Sequence, residues 1–438
     1  MITQSNFLSV LSRAQPFLTI FAFALLNGFS HISSAQSSVN NRLQNQQCYV
    51  LVADRVFDGF MLLENAAVLI KNNKVIQTGD AIQLSKQCSR AIDLGDATIL
   101  PGFIESHAHL TFQNIPAEIV LKHGITTARD TGGPLLKPSG GSGSLRIISA
   151  GPIIQATDGY PLNIFGHGDD AATDRYGGIG IAVSTVEEAQ KAVKDLVDGG
   201  SALIKISLEP GGETGAPWMS SHGHGAPPAT PWPLLSLDII KAIVAKAHSM
   251  NRRVAAHVGE NTGVELALDG GVDEWAHIPC TEIRDDLLHR AVAQHVTFVT
   301  TIDTLSACTG IHANVHKLSH LIAHNPDTRS KFIYGSEIGH DNVPWGINAE
   351  EMRLMLHLTS GDTIEFTDVL NVFKAATSEA GKNLGKPLLG TLSPGAPADV
   401  IAVRGNAFLR FKLLEYPDLV ISGGQILVNN FKKTKANP

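Results

Sequence analysis

Two histidines two residues apart, His107 and His109, close the mostly apolar run that begins Leu100-Pro101-Gly102-Phe103-Ile104. Side chains on a strand alternate with period two, so both imidazoles point to one face. Two neutral imidazoles on one face can bind a single divalent metal. An isolated pair of this kind also occurs as ordinary core or surface histidines, so its company decides the reading. Lys205 interrupts the apolar stretch Ala202-Leu203-Ile204-Lys205-Ile206, and a buried ammonium without a counter-charge is costly. His257 closes Val254-Ala255-Ala256-His257, and His277 closes Glu274-Trp275-Ala276-His277. Each alone reads as an ion-paired lysine or a hydrogen-bonded core histidine. As a set at the ends of successive strands they read as a metal site.

The elements that would position them alternate. Ser184 and Thr185 precede Glu187 and Glu188 at capping-box spacing. Val186, Ala189, Val193 and Leu196 then form a helical stripe that Gly199-Gly200 ends. Ala202 to Leu208 follows as a strand, Ser236 caps a helix from Leu237 to about Ser249, and Val254 to Val258 is the next strand. Thr262 to Leu268 is helical, and Trp275 to Ile278 is a further strand. Repeated strand–helix units with short links predict parallel βα structure, as a closed barrel or an open doubly wound sheet. No glycine-rich phosphate loop follows a strand, which weighs against nucleotide binding. Both ends of the chain are β-rich instead: Ala66 to Ile70 and Val75 to Gln77 flank a Lys-Asn-Asn-Lys turn, and Ala398 to Val403 and Leu419 to Val428 mirror them. The expected fold is therefore an α/β (β/α)8 TIM barrel over residues 101–390, with a small β-sandwich composed of residues 36–100 and 391–438.

Residues 1–35 read as a signal peptide: Arg13 is followed by the apolar run Phe17 to Phe29 and by Ser33-Ser34-Ala35. The run is shorter than the ~20 residues that cross a bilayer, so no stable membrane span is expected after cleavage. This predicts an exported protein, periplasmic or secreted. Export bears on the four cysteines, since Cys48 and Cys88 flank one β-rich segment and can pair or stay free thiols. The formal charge of -7, without any Lys/Arg block, speaks against a nucleic-acid partner.

The segment from Pro101 to His109 resembles the first barrel strand of amidohydrolase-superfamily enzymes, most closely the imidazolonepropionase-like and Xaa-Pro dipeptidase (prolidase-like) branch. Gly124-Ile125-Thr126-Thr127-Ala128-Arg129-Asp130-Thr131-Gly132-Gly133 resembles that branch's second strand, and Pro394-Gly395-Ala396-Pro397-Ala398-Asp399-Val400 resembles its return into the β-rich domain. The likeness runs from about Tyr49 to Leu427. It implies two divalent ions, of which zinc is the expected one. His107 and His109 would hold the more buried ion, His257 and His277 the other, and Lys205 would bridge them as a carbamate. An aspartate usually follows the eighth strand, but this chain has Glu337 there, with Asp341 as a substitute candidate. Glu337 is thus the expected metal ligand and catalytic proton carrier.

The chemistry that follows is attack on an amide C–N bond by a metal-activated hydroxide, in a small-molecule substrate such as a dipeptide or N-acyl amino acid. The alternatives are a cyclic-amide or lactone hydrolase on the same site, or a catalytically silent exported binding protein. Tyr160, His167, His222 and His224 fall in Gly/Pro-rich loops and are candidate substrate contacts. The branch often reads His-Ala-His-Gly after the fifth strand, whereas this chain reads His257-Val258-Gly259-Glu260 and lacks the second histidine. His312, His316, His320 and His324, four apart, read as a polar helix face. A homo-oligomer is compatible with all of this.

Overall fold

The computed structural model describes residues 48–165, 178–211, 213, 215–216, 228–340 and 342–431. The N-terminal part opens with strands β1 (Cys48–Phe57), β2 (Leu62–Lys71), β3 (Lys74–Asp80), β4 (Ala91–Asp93) and β5 (Ala97–Pro101). Asn72 and Asn73, both left-handed, make the two-residue turn between β2 and β3, a turn whose twist matches that of the flanking strands. From the other end of the chain come β16 (Val400–Arg404), β17 (Leu419–Ser422) and β18 (Gln425–Asn429). The two ends join where β16 runs antiparallel to β5, giving one eight-stranded mixed sheet ordered β18-β17-β16-β5-β1-β2-β3, with β4 beside β1. The Cys48–Cys88 disulfide closes this region.

The middle supplies two parallel sheets. One contains β6 (Phe103–Ala108), β7 (Ile125–Asp130) and β8 (Arg146–Ser149). The other contains β9 (Ile153–Ala156), β10 (Gly180–Val183), β11 (Ile204–Ser207), β12 (Val254–His257), β13 (Glu274–Trp275), β14 (Thr297–Val299) and β15 (Lys331–Ile333), ordered β10-β9-β11-β12-β13-β14-β15. Backbone bonds connect the two: Ala202 N–H donates to Ser149 O at 2.9 Å, and His109 N–H donates to Ile338 O at 2.7 Å. The protein is thus α/β, with parallel strands and a mixed terminal sheet.

The capping signals act as expected. Thr185 and Glu188 form a reciprocal capping box on the helix Val186–Asp198, which buries Ala189, Ala192, Val193 and Leu196. Ser236 caps Leu237–Ser249. Gly271, left-handed, ends Asn261–Gly270. The apolar side chains of β11 and β12 sort cleanly. Ile204, Ile206, Leu208, Val254, Ala256 and Val258 join the main core with the helices, each large one worth about 1.5–3 kcal/mol of burial. Lys205, Ser207 and His257 alternate with them and so face the other side.

One strand is shorter than expected. The ladder ends at Trp275 and does not continue to Ile278. His277 therefore lies just beyond a strand end. Among the described residues no helix is long and apolar enough to cross a membrane.

Candidate active site

His107 lies in the fully buried strand β6, and His109 lies one residue past its end. Their Nε2 atoms are 3.3 Å apart, so the shared-face expectation holds. His107 Nδ1 lies 2.7 Å from Ala276 O. Donation to that carbonyl puts the proton on Nδ1 and leaves the lone pair on Nε2, as a metal-ligating imidazole requires. His277 packs against the His107 ring with centroids 4.4 Å apart, and the His257 ring lies 4.7 Å from that of His277. The four histidines singled out from three different strands therefore converge.

Glu337 closes the group. Its Oε1 lies 3.8 Å from His107 Nε2, 3.6 Å from His109 Nε2 and 3.3 Å from His340 Nε2. Its Oε2 lies 3.5 Å from His277 Nδ1. The backbone of Glu337 is left-handed, with φ +59°, a conformation that costs a non-glycine residue about 1–2 kcal/mol. Burial favours the neutral acid, yet His277 and His340 beside it, with the His109 ring, hold the carboxyl well below the usual range. Lys205 is only 1% exposed. Burial pulls its ammonium down to about 7.

Burial likewise lowers all four imidazoles, His257 to about 4 and His107 and His277 well below their ordinary value. They are neutral at physiological pH and keep their lone pairs. The residues fit a divalent ion on three counts. The donors are imidazole nitrogen and carboxylate oxygen, the set that zinc takes. The separations among His107 Nε2, His109 Nε2 and Glu337 Oε1 approach the ~3.3 Å edge of a tetrahedron with bonds near 2.0–2.1 Å. Buried Glu337 Oε2 and His109 Nδ1 have no hydrogen-bond partner among the described residues.

Several participants were not foreseen. Glu105, fully buried, accepts from His107 N–H at 2.8 Å, from Ser336 N–H at 3.0 Å and from Ser336 Oγ at 2.7 Å. It ties the histidine strand to the segment carrying Glu337. Gly335 keeps this approach open, since a Cβ there would sit 2.5 Å from Val299 Cγ1 and 3.3 Å from both Glu105 Oε1 and His107 Cβ. Burial raises the Glu105 carboxyl to about 7. Glu209 and Glu213, both buried, gather at His257 Nε2, with Glu213 Oε2 at 3.1 Å and Glu209 Oε2 at 3.9 Å. The signal for Glu209 was present: it continues the Lys205–Ser207 alternation by two residues.

Tyr160 stacks on Trp232 at 5.8 Å and lies 5.2 Å from the His257 ring, so it lines the site. His167, His222, His224 and Asp341 lie outside the described residues. His312, His316 and His320 line the exposed side of the helix Ile311–Ala323, and His324, which caps it, stacks on His320 at 4.1 Å. They do not reach the site.

The model of the amidohydrolase family matches residues 98–427. This chain belongs to the amidohydrolase family. Like its family, it is a hydrolase acting on carbon–nitrogen bonds. Ochratoxinase of Aspergillus niger is 23% identical over 88% of this amidohydrolase and 89% of its own length. A solved Xaa-Pro dipeptidase with bound methionine superposes with a TM-score of 0.68 at 21% identity, covering 87% of this chain and all of its own. The crystal structure of A. niger ochratoxinase gives a TM-score of 0.66 at 17% identity over 87% of this chain and 96% of its own. These likenesses establish a shared fold.

Proposed function

We propose that this amidohydrolase is metal-dependent and cleaves the amide C–N bond of a small substrate such as a dipeptide or an N-acyl amino acid. The observation that carries the reading is the triangle of His107 Nε2, His109 Nε2 and Glu337 Oε1, with edges of 3.3, 3.8 and 3.6 Å. In this reading those residues hold one divalent ion, zinc being the ion whose donors and spacing they suit, and His257 and His277 serve a second. Lys205 joins them as a carbamate. With burial bringing it to about 7, the neutral amine, the form that attacks carbon dioxide and gives up one proton to solvent, is well populated at neutral pH. Bound divalent ions lower the pKa of water toward ~7 and polarise a carbonyl.

The remaining work belongs to side chains. Glu337, ionised and aimed between the rings, takes the proton of the attacking water and passes it to the leaving nitrogen. The Ala276 carbonyl fixes the His107 tautomer, and Thr301 Oγ1, 3.2 Å from His277 Nδ1, orients that ring. Tyr160 and Trp232 form an aromatic wall for an apolar substrate group, and His167, His222 and His224 are proposed contacts from the neighbouring loops. The names of similar proteins, a Xaa-Pro dipeptidase and an ochratoxinase, support a small substrate.

We further read the two parallel sheets as one closed (β/α)8 barrel over residues 101–390, capped by a small β-sandwich from residues 36–100 and 391–438. Residues 1–35 would direct export to the periplasm or medium. Two disulfides, Cys48–Cys88 and Cys280–Cys308, suit an oxidising compartment.

The test is the metal-to-protein ratio of the purified mature chain, followed by hydrolysis assays. About two divalent ions per chain and cleavage of dipeptides or acyl amino acids are expected. No bound metal after reconstitution with zinc or manganese and bicarbonate overturns the metal dependence. Turnover of lactones without turnover of any amide overturns the substrate bond.

A further inference from the structure

We infer that Glu209 and Glu213 join His257 as direct ligands of the second divalent ion, beside the His277 already assigned to it. The inference rests on the metallohydrolase reading and supplies ligands that the family resemblance did not. His257 Nε2 lies 3.1 Å from Glu213 Oε2 and 3.9 Å from Glu209 Oε2. The three ligand atoms all lie within 4.8 Å of one another. These separations bracket the ~3.3 Å edge expected for ligand atoms about 2.0–2.2 Å from one ion. A hydrogen bond from one imidazole N–H uses one acceptor. Two carboxylates converging on the same ring nitrogen match a cation in that position better.

The surroundings hold the carboxylates in place. Gly211 N–H donates to Glu209 Oε1, which turns Oε2 toward His257. A Cβ at Gly259 would overlap the Glu213 carboxylate, so the glycine leaves room for that side chain.

A separate observation points to a ligand at the same place. Ser207 Oγ is buried, its residue only 3% exposed, and it has no hydrogen-bond partner among the described residues. Ser207 pairs with His257 across β11 and β12. It alternates with Ile206 and Leu208, which face the helices, so its hydroxyl faces the site. The His257 ring also abuts that of His277, so this site adjoins the triangle formed with Glu337.

The experiment is a cobalt(II) titration of the metal-free full chain, read by bound metal and by the visible absorption of the ion. Wild type should take up two equivalents. Glu209→Gln/Glu213→Gln should keep one equivalent at wild-type affinity and bind the other more than about 100-fold more weakly, since losing a second-shell partner alone costs 10–100-fold. Gly259→Ala, which leaves both glutamates in the sequence but displaces Glu213, should weaken the same equivalent. Circular dichroism reports whether each variant is folded, and Gly259→Ala carries the test if the double variant is not. Two equivalents at unchanged affinity in folded variants would overturn the assignment. So would a wild type that saturates at one equivalent while hydrolysing amides. A wild type that binds no cobalt would overturn the metallohydrolase reading itself, a result visible before any variant is made.

Discussion

Glu274, at the start of β13, and Glu337, just beyond β15, are the same residue type at nearly the same burial, 1% and 2% exposed. Their surroundings differ in kind. Glu274 is held by both ends of the Arg129 guanidinium, by Asn383 Nδ2 at 2.8 Å and by Arg253 at 3.6 Å. Burial would raise its pKa, but Arg129 and Arg253 outweigh that and lower it. Glu337 has four imidazoles around it, an oxygen without a hydrogen-bond partner among the described residues, and a left-handed backbone. A structural charge is cancelled by fixed partners at low strain. The charge assigned here to chemistry faces imidazole rings instead of fixed cations, and the fold bears the strain of holding it there.

The sharpest way to break this contrast is to neutralise each glutamate in turn. Glu337→Gln should lower kcat by about 10³-fold or more and weaken the ion it shares with His107 and His109, while the melting temperature of the metal-free chain stays near wild type. Glu274→Gln leaves Arg129 buried without its counter-charge, so urea unfolding should show a loss of about 3–5 kcal/mol, with turnover per folded molecule retained. If Glu274→Gln killed turnover in the folded state, or Glu337→Gln mainly unfolded the chain, the division of roles would fail.

The two disulfides extend the comparison. In the chain-entropy model, loops of 40 and 28 residues each stabilise by roughly 3–4 kcal/mol, so Cys→Ser pairs at either bridge should lower the melting temperature similarly. Only the Cys280→Ser/Cys308→Ser pair should also reduce turnover, because Cys280 lies three residues beyond His277 whereas Cys48–Cys88 belongs to the terminal sheet. Equal turnover in both pairs would detach the second bridge from the site.

A further contrast concerns Lys205. Its folded pKa of about 7 lies below the ordinary 10.5, so between those values the unfolded chain holds the proton more tightly. The burial penalty is present in full below about pH 7 and is relieved as pH rises toward 10.5, by at most roughly 1.4 kcal/mol per pH unit. Metal-free Lys205→Met should therefore exceed wild type in stability at pH 6.5, and the gap should narrow by pH 9.5. Parallel stability curves for the two proteins would refute this.

The legible part of the site was the part that regular structure dictates. His107, His109, Lys205, His257 and His277 sit on or just past strands, where period-two alternation and an apolar context mark a polar residue as exceptional. Glu213 lies in a loop after β11, where no period predicts direction. Glu105 owes its position to Ser336, 231 residues away, a pairing that no local pattern encodes. The same holds for the fold. The alternating βα units and the Asn72-Asn73 hairpin follow from local signals, whereas the β5–β16 pairing that merges the two chain ends into one sheet depends on closure across about 300 residues. The strand at His277 was overestimated because apolar character runs on past Trp275, where the ladder ends.

The left-handed backbone at Glu337 also shapes how this site can evolve. Left-handed residues are tolerated best by glycine, then by asparagine and aspartate, and worst by β-branched side chains. The short-chain acid and amide therefore enter position 337 with backbone relief, while valine or isoleucine pays twice, in conformation and in lost charge. Drift at this position is channelled toward another carboxylate or its neutral amide. The acid proposed to perform the chemistry and its neutral counterpart are thus close neighbours in mutational space, and a lineage can pass from one to the other without rebuilding the loop that carries the residue.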